Sequence, residues 1–176
     1  GVTKDYVLNL EVVLPSGDII WTGANVLKNS TGYNLTQLMV GSEGTLGVIT
    51  KIVFKLIPHP THDLTLLVPF RSAEKACEAV SAVFRAGITP SALEFMERDA
   101  IDWTLKFTEI NVPINEDIQA HLLVEVDGND MDTLFKDCEK ITEVMEQYDC
   151  DEILFADSSQ QKDQLWKMRR AVGEAV

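Results

Sequence analysis

Apolar and polar positions follow one pattern up to about residue 58 and a different one beyond it. Val7 to Leu14 alternates imperfectly and is rich in Val and Leu. Pro15-Ser16-Gly17-Asp18 follows, then Ile19-Ile20-Trp21. Two apolar runs around such turn residues predict a β-hairpin. Gln37 to Val40 predicts a helical turn, and Gly47 to Ile57 a long strand. Pro58-His59-Pro60 interrupts helix and ladder alike, which places a domain boundary there and divides the chain into 1–58 and 59–176.

Beyond the prolines, strands alternate with helices. His62 to Phe70 reads as a strand. Ser72 caps a helix whose apolar positions Ala73, Ala76, Cys77, Val80, Val83 and Phe84 keep helical spacing, and Gly87 ends it. Ser91 to Met96 predicts a second strand, Ala100 to Phe107 a short helix and Glu109 to Glu116 a polar loop. Gln119 to Val126 is the third strand. Met131, Leu134, Phe135, Cys138, Ile141, Met145 and Tyr148 form one stripe of a long helix. Glu152 to Ala156 is the fourth strand, and Ser159 opens the last helix. Two successive strand–helix–strand halves predict a ferredoxin-like α+β antiparallel sheet with its helices on one face. Such a unit hosts many functions, so the fold assigns none.

Bulk properties narrow the field. At 176 residues, with 45% hydrophobic and 24% charged, the chain reads as an ordinary globular protein of one large or two small domains. A formal charge of −13 argues against a nucleic-acid partner, which requires clustered Lys and Arg. No apolar stretch approaches the ~20 residues of a membrane helix, so no transmembrane segment is expected. Cys77, Cys138 and Cys150 have no paired spacing, and Cys77 and Cys138 fall on apolar helix faces. Buried free thiols in a cytoplasmic protein are the expectation. His59, His62 and His121 show no metal-ligand spacing; His59 and His62 flank Pro60 and are expected in solvent. The chain starts without Met and stops inside an amphipathic helix without Gly, Asn or Pro to close it, as expected of a fragment.

Two glycine-bearing runs carry the chemistry: Thr31-Gly32-Tyr33-Asn34-Leu35, and Gly41-Ser42-Glu43-Gly44-Thr45-Leu46-Gly47-Val48-Ile49-Thr50. Glycines feeding a strand either make a tight turn or present N–H groups to a phosphate, and spacing alone does not choose between these. Together with Gly1-Val2-Thr3-Lys4-Asp5-Tyr6-Val7-Leu8-Asn9-Leu10-Glu11-Val12-Val13-Leu14 and Leu165-Trp166-Lys167-Met168-Arg169-Arg170, these runs resemble FAD-linked oxidases of the vanillyl-alcohol-oxidase type. The similar branch contains the glycolate oxidase FAD-binding subunit and the D-lactate and D-2-hydroxyglutarate dehydrogenases.

The resemblance implies that residues 1–58 are the C-terminal part of an FAD-binding domain (β-hairpin and long strand). Residues 59–176 would be a truncated ferredoxin-like substrate or cap domain. It implies an oxidoreductase converting a 2-hydroxy acid to the 2-oxo acid by hydride transfer to flavin. Other oxidase subunits or an electron-acceptor protein would be its partners. Gly41, Ser42, Gly44, Thr45, Gly47, Val48 and Ile49 become the FAD-contacting set, through N–H donors with no side chain between. Glu43 is expected to order the loop through backbone N–H groups rather than to face a diphosphate. The family's paired-glycine loop and its histidine–glutamate metal cluster lie outside this sequence. No catalytic or metal residue is therefore assigned, and FAD binding by this chain alone is expected to be weak or absent.

Arg169 shares a helix face with Leu165, Trp166 and Val172, where an unpaired cation is costly. The resemblance gives it the substrate carboxylate, which its planar fork suits; the alternative is an internal ion pair with Glu94 or Glu125. Arg170 has Glu174 four residues on, a solvent-face pair. Relatives often carry a hydroxyl residue where this chain has Gly173, which leaves the substrate open. The rival reading is a ferredoxin-like small-molecule-binding or assembly module without catalysis, which leaves the Gly41 to Thr50 run without a purpose. A flavoenzyme acting on alcohols or amino sugars would not require the inward arginine.

Overall fold

The computed structural model describes residues 2–108 and 115–175, and the chain divides into two compact units, Gly1–His59 and Pro60–Val176. Within the first, β1 (Val7–Val13) is the middle strand, flanked antiparallel by β2 (Ile19–Trp21) and β3 (Val48–Phe54). The hairpin turn closes where Leu14 N–H donates to the Asp18 carbonyl, with Gly17 at a φ of 89° that a side chain would resist. β3 stops at Phe54, short of the expected Ile57. The short helix α1 (Leu35–Met39) is capped by Asn34, whose side chain accepts from Gln37 N–H at 3.0 Å. Leu10, Val12 and Met39 form the small core. A buried polar knot reinforces it: the Asn9 side-chain oxygen accepts from Leu10 N–H and Gly23 N–H at 2.9 and 2.7 Å, and the Thr22 and Thr36 hydroxyls lie 2.8 Å apart.

The second unit contains a four-stranded antiparallel sheet in the order β5-β6-β4-β7: β4 (His62–Phe70), β5 (Ala92–Glu97), β6 (Ala120–Gly128) and β7 (Leu154–Ala156). This is the ferredoxin-like arrangement the doubled pattern predicts. Its helices are α2 (Ala73–Arg85), α3 (Arg98–Phe107), α4 (Met131–Met145) and α5 (Ser159–Ala175). One face of the sheet, with Leu64, Leu66, Val68, Leu122 and Val124, packs on Ala76, Ala79 and Val83 of α2 and on Leu134, Cys138 and Ile141 of α4.

The opposite face was expected to be bare of helices and is not. Leu67, Met96 and Leu123 pack against Ile101 of α3 and Leu165 and Met168 of α5. The central strands β4 and β6 are therefore buried on both sides. Boundaries moved by one to three residues elsewhere: α3 starts at Arg98 rather than Ala100, β7 at Leu154 rather than Glu152, and α4 passes into a 3-10 turn, Glu146–Tyr148. Most of the expected polar loop, residues 109–114, lies outside the described residues. The cysteines are free, but Cys77 is exposed while Cys138 is buried. The reason is that α2 buries Ala76, Ala79 and Val83, so Cys77 falls on the flank of the stripe.

His121 of β6 is buried among Leu67, Pro69 and Ile118, and its Nδ1 has no hydrogen-bond partner among the described residues. Burial, with the nearby Arg98 charge second, lowers its pKa to about 4. The unfolded chain thus binds the proton that the folded chain refuses. The resulting stability is present above the ordinary histidine pKa and declines as pH falls toward 4. Between pH 7 and pH 5 the loss should be roughly 2 kcal/mol. Urea unfolding at both pH values should show that slope shrink by about this amount in His121→Leu; equal slopes would show that His121 is not held neutral.

Candidate functional site

The residues that resemble an FAD-contacting set run from the end of α1 into the first two residues of β3. Ser42 N–H donates to the Met39 carbonyl at 3.1 Å, ending the helix. A tight turn follows: Thr45 N–H and Thr45 Oγ1 both donate to the Ser42 carbonyl, at 3.0 and 2.7 Å. Its two central residues, Glu43 and Gly44, are both left-handed, with φ of 51° and 78°, and Gly41 sits at 85°. A left-handed non-glycine residue costs about 1 kcal/mol or more, so Glu43 stores strain on an exposed turn. The Glu43 carboxylate makes no hydrogen bond among the described residues; Ser42 and Thr45 order the turn instead. The N–H groups of Glu43 and Gly44 likewise donate to no described acceptor.

The three glycines have different causes. A Cβ at Gly41 or Gly44 would meet open space, so their requirement is the backbone angle. At Gly47 a Cβ would stand 2.7 Å from Val12 Cγ1 and 2.8 Å from the Val13 carbonyl oxygen, so that glycine lets the loop pass β1. Val48 and Ile49 pair with Val13 and Val12 on one side only, since β3 is the edge of its sheet, and both side chains are exposed. Gly41, Ser42, Gly44, Thr45, Val48 and Ile49 thus lie on one accessible stretch that fits a phosphate-bearing cofactor: unspent N–H donors, no intervening side chain at the glycines, and an open strand edge.

In the second unit α5 crosses the sheet with three donors at helical spacing. Lys162 Nζ reaches Asp63 Oδ2 of β4 at 2.6 Å. Trp166 Nε1 donates to Glu125 Oε2 of β6 at 2.8 Å, and Thr65 Oγ1 donates to the same oxygen at 3.3 Å. Arg169 Nε donates to Glu94 Oε2 of β5 at 2.7 Å. The internal partner considered for Arg169 is therefore present. Its side chain stays 37% exposed, however, and no other Arg169 nitrogen has a partner among the described residues. Arg98 offers the contrast: Nε donates to both Asp102 oxygens at 2.9 Å, while Nη1 serves the carbonyls of Asn115, Glu116 and Ile118.

Arg170 is exposed and forms no ion pair with Glu174 among the described residues, unlike the expected pair. A Cβ at Gly173 would meet nothing within 4 Å. The contacts of Lys162 and Trp166 were not anticipated, although the i, i+4, i+7 spacing of Lys162, Trp166 and Arg169 was a readable signal. No group of acidic, histidine and cysteine side chains suited to a metal occurs among the described residues, and no described helix is long and apolar enough to cross a membrane.

Residues 59–176 match the model of the C-terminal domain of FAD linked oxidases. The chain is similar over its whole length to a D-lactate dehydrogenase of Anaerostipes hadrus (39% identity, 38% of that protein). It is similar to glycolate oxidase subunit GlcD of Bacillus subtilis (38% identity, 37% of that protein). A D-lactate dehydrogenase of Archaeoglobus fulgidus is 35% identical over the whole chain. Among solved structures, p-cresol methylhydroxylase with substrate bound superposes with a TM-score of 0.66 at 14% identity, over 96% of this chain and 40% of that one. Alkyldihydroxyacetonephosphate synthase gives 0.65 at 15% identity, over 96% of this chain and 32% of that one, and both show the shared fold alone. The chain belongs to the FAD-linked oxidase family. It spans under two-fifths of the length of the D-lactate dehydrogenase and GlcD relatives named here.

The glycine geometry makes a prediction. Gly44→Ala should cost about 1–2 kcal/mol for a left-handed alanine on an open turn. Gly47→Ala should cost more, roughly 2–4 kcal/mol, because a backbone carbonyl cannot step aside without disturbing the β1–β3 register. Urea unfolding of the two variants would check the ranking, and the reverse order would refute the packing role of Gly47.

Proposed function

We propose that this chain supplies part of the cofactor site and one edge of the substrate site of an FAD-dependent dehydrogenase. That enzyme oxidises a 2-hydroxy acid of the D-lactate or glycolate kind to the 2-oxo acid. The single observation that carries the substrate assignment is the half-used guanidinium of Arg169. It has one partner, at Nε, and remains over a third exposed. A fork with its outer edge free matches a carboxylate. The names of the similar proteins, D-lactate dehydrogenase and glycolate oxidase subunit, support a 2-hydroxy acid.

In this reading residues 1–58 complete the FAD-binding domain and residues 59–176 form the substrate or cap domain. When bound, FAD supplies the hydride acceptor. The N–H groups of Glu43 and Gly44 and the open β3 edge hold its phosphate-bearing part. Arg169 binds the substrate carboxylate and so orients the α-carbon hydrogen, and its charge keeps the acid anionic during the reaction. Gly173, one turn further along α5, leaves room rather than a hydroxyl contact beside the substrate. Since one relative is named as a subunit, a second polypeptide belongs to the proposal as a partner.

Kinetics of the whole enzyme test it. Arg169→Ala removes charge and fork, and kcat/KM should fall by about 30- to 1000-fold. Arg169→Lys keeps the charge without the fork and should fall between that variant and wild type. Arg170→Ala should change little. A neutral substrate analogue should show a much smaller loss with Arg169→Ala. Equal behaviour of the two arginine-to-alanine variants, or a lower melting temperature with unchanged kinetics, would make Arg169 structural.

A further inference from the structure

We infer that Glu94 is a positioning residue that aims Arg169 at an anionic ligand. The inference rests on the reading of Arg169 as the carboxylate-binding residue and adds a role that reading does not require. A guanidinium has two edges able to bind a carboxylate side-on, one of which includes Nε. Glu94 Oε2 takes Nε at 2.7 Å and so occupies that edge. The outer edge, between the two Nη atoms, has no described partner. An acid anion is thereby directed to one edge and one approach.

Two features argue that the contact directs Arg169 rather than merely neutralising it. Arg98, in the same fold, spends two of its three nitrogens on protein acceptors, with Nε on both Asp102 oxygens and Nη1 on three carbonyls, whereas Arg169 spends one. Glu94 meets Arg169 through a single oxygen. Glu94 also stands on β5, a strand tied to β6 from Ala92 to Glu97, so the acceptor is fixed by the sheet while the arginine stem is long and flexible. Arg169 without Glu94 would have to give up rotamer freedom on each binding event, and this appears in KM rather than in kcat.

The experiment is steady-state kinetics of the whole enzyme with D-lactate and with glycolate, on Glu94→Ala, Glu94→Gln, Arg169→Ala and Asp63→Ala. Glu94→Ala should raise KM by about 10-fold or more, with kcat within about 3-fold of wild type. Glu94→Gln keeps an oxygen acceptor for Nε and should restore KM to the wild-type value or below it. Asp63→Ala removes the carboxylate that Lys162 of α5 meets, leaving Lys162 its contact with the residue 63 carbonyl, and should lower the melting temperature without moving KM. The inference is overturned if Glu94→Ala leaves KM unchanged or lowers it, if Glu94→Gln matches Glu94→Ala, or if Asp63→Ala raises KM as much. If Arg169→Ala leaves KM and kcat intact, the carboxylate-binding reading itself fails and takes this inference with it. If Arg169→Ala raises KM and Glu94→Ala does not, only the role of Glu94 is lost.

Discussion

The docking of α5 across the sheet decides what the second unit can do. Its apolar residues Leu165 and Met168 enter the core formed by Leu67, Met96, Ile101 and Leu123, and this burial holds the helix down. Apolar contact is non-directional, however, and by itself fixes the register of the helix only loosely. Lys162, Trp166 and Arg169 remove that freedom. They meet Asp63, Glu125 and Glu94 on β4, β6 and β5, so a slip would leave partly buried carboxylates without donors. Hydrophobic area gives the attachment its strength and the three polar contacts give it its register. The register, in turn, is what brings Arg169 to Glu94.

How much of this was legible in the sequence follows from which signals are local. The strands of the second unit and the stripes of α2 and α4 were plain, because a period of two or of 3.6 appears within a few residues. The covering of the second face by α3 and α5 has no such local period. Yet β4 and β6 carry near-continuous apolar runs, Leu64 to Phe70 and Leu122 to Val124, instead of alternation, and that pattern marks burial on both sides. Cys77 misled because a stripe of alanines buries a narrow face, leaving its flank in water. An internal acid such as Glu94 or Glu125 is readable as an alternative partner for Arg169, but the choice of Glu94 depends on strand order and on where α5 crosses, both set by distant residues.

The glycine run shows a different limit. Spacing marks Gly41, Gly44 and Gly47 as one cluster, yet the fold separates them by cause. Backbone angle accounts for the first two and the close passage of β1 for the third. A glycine needed for packing and a glycine needed for a ligand look alike in a sequence. What separates them is whether an added methyl would meet protein or open space.

The pairing of β4 with β6 has a consequence for how the chain folds. Phe70 lies opposite Ala120, so the two strands buried on both faces cannot begin to pair until the 49 residues between these two have been made. Closing so large a loop before any reward is gained slows formation of the nucleus. Until then Leu64 to Val68 is an apolar, β-prone segment without its partner, open to pairing with other chains. Asp63 and Pro69 stand at its two ends, where a charge and an imino acid discourage such pairing. Asp63 therefore serves twice: it guards an unpaired strand in the nascent chain and anchors Lys162 in the finished one.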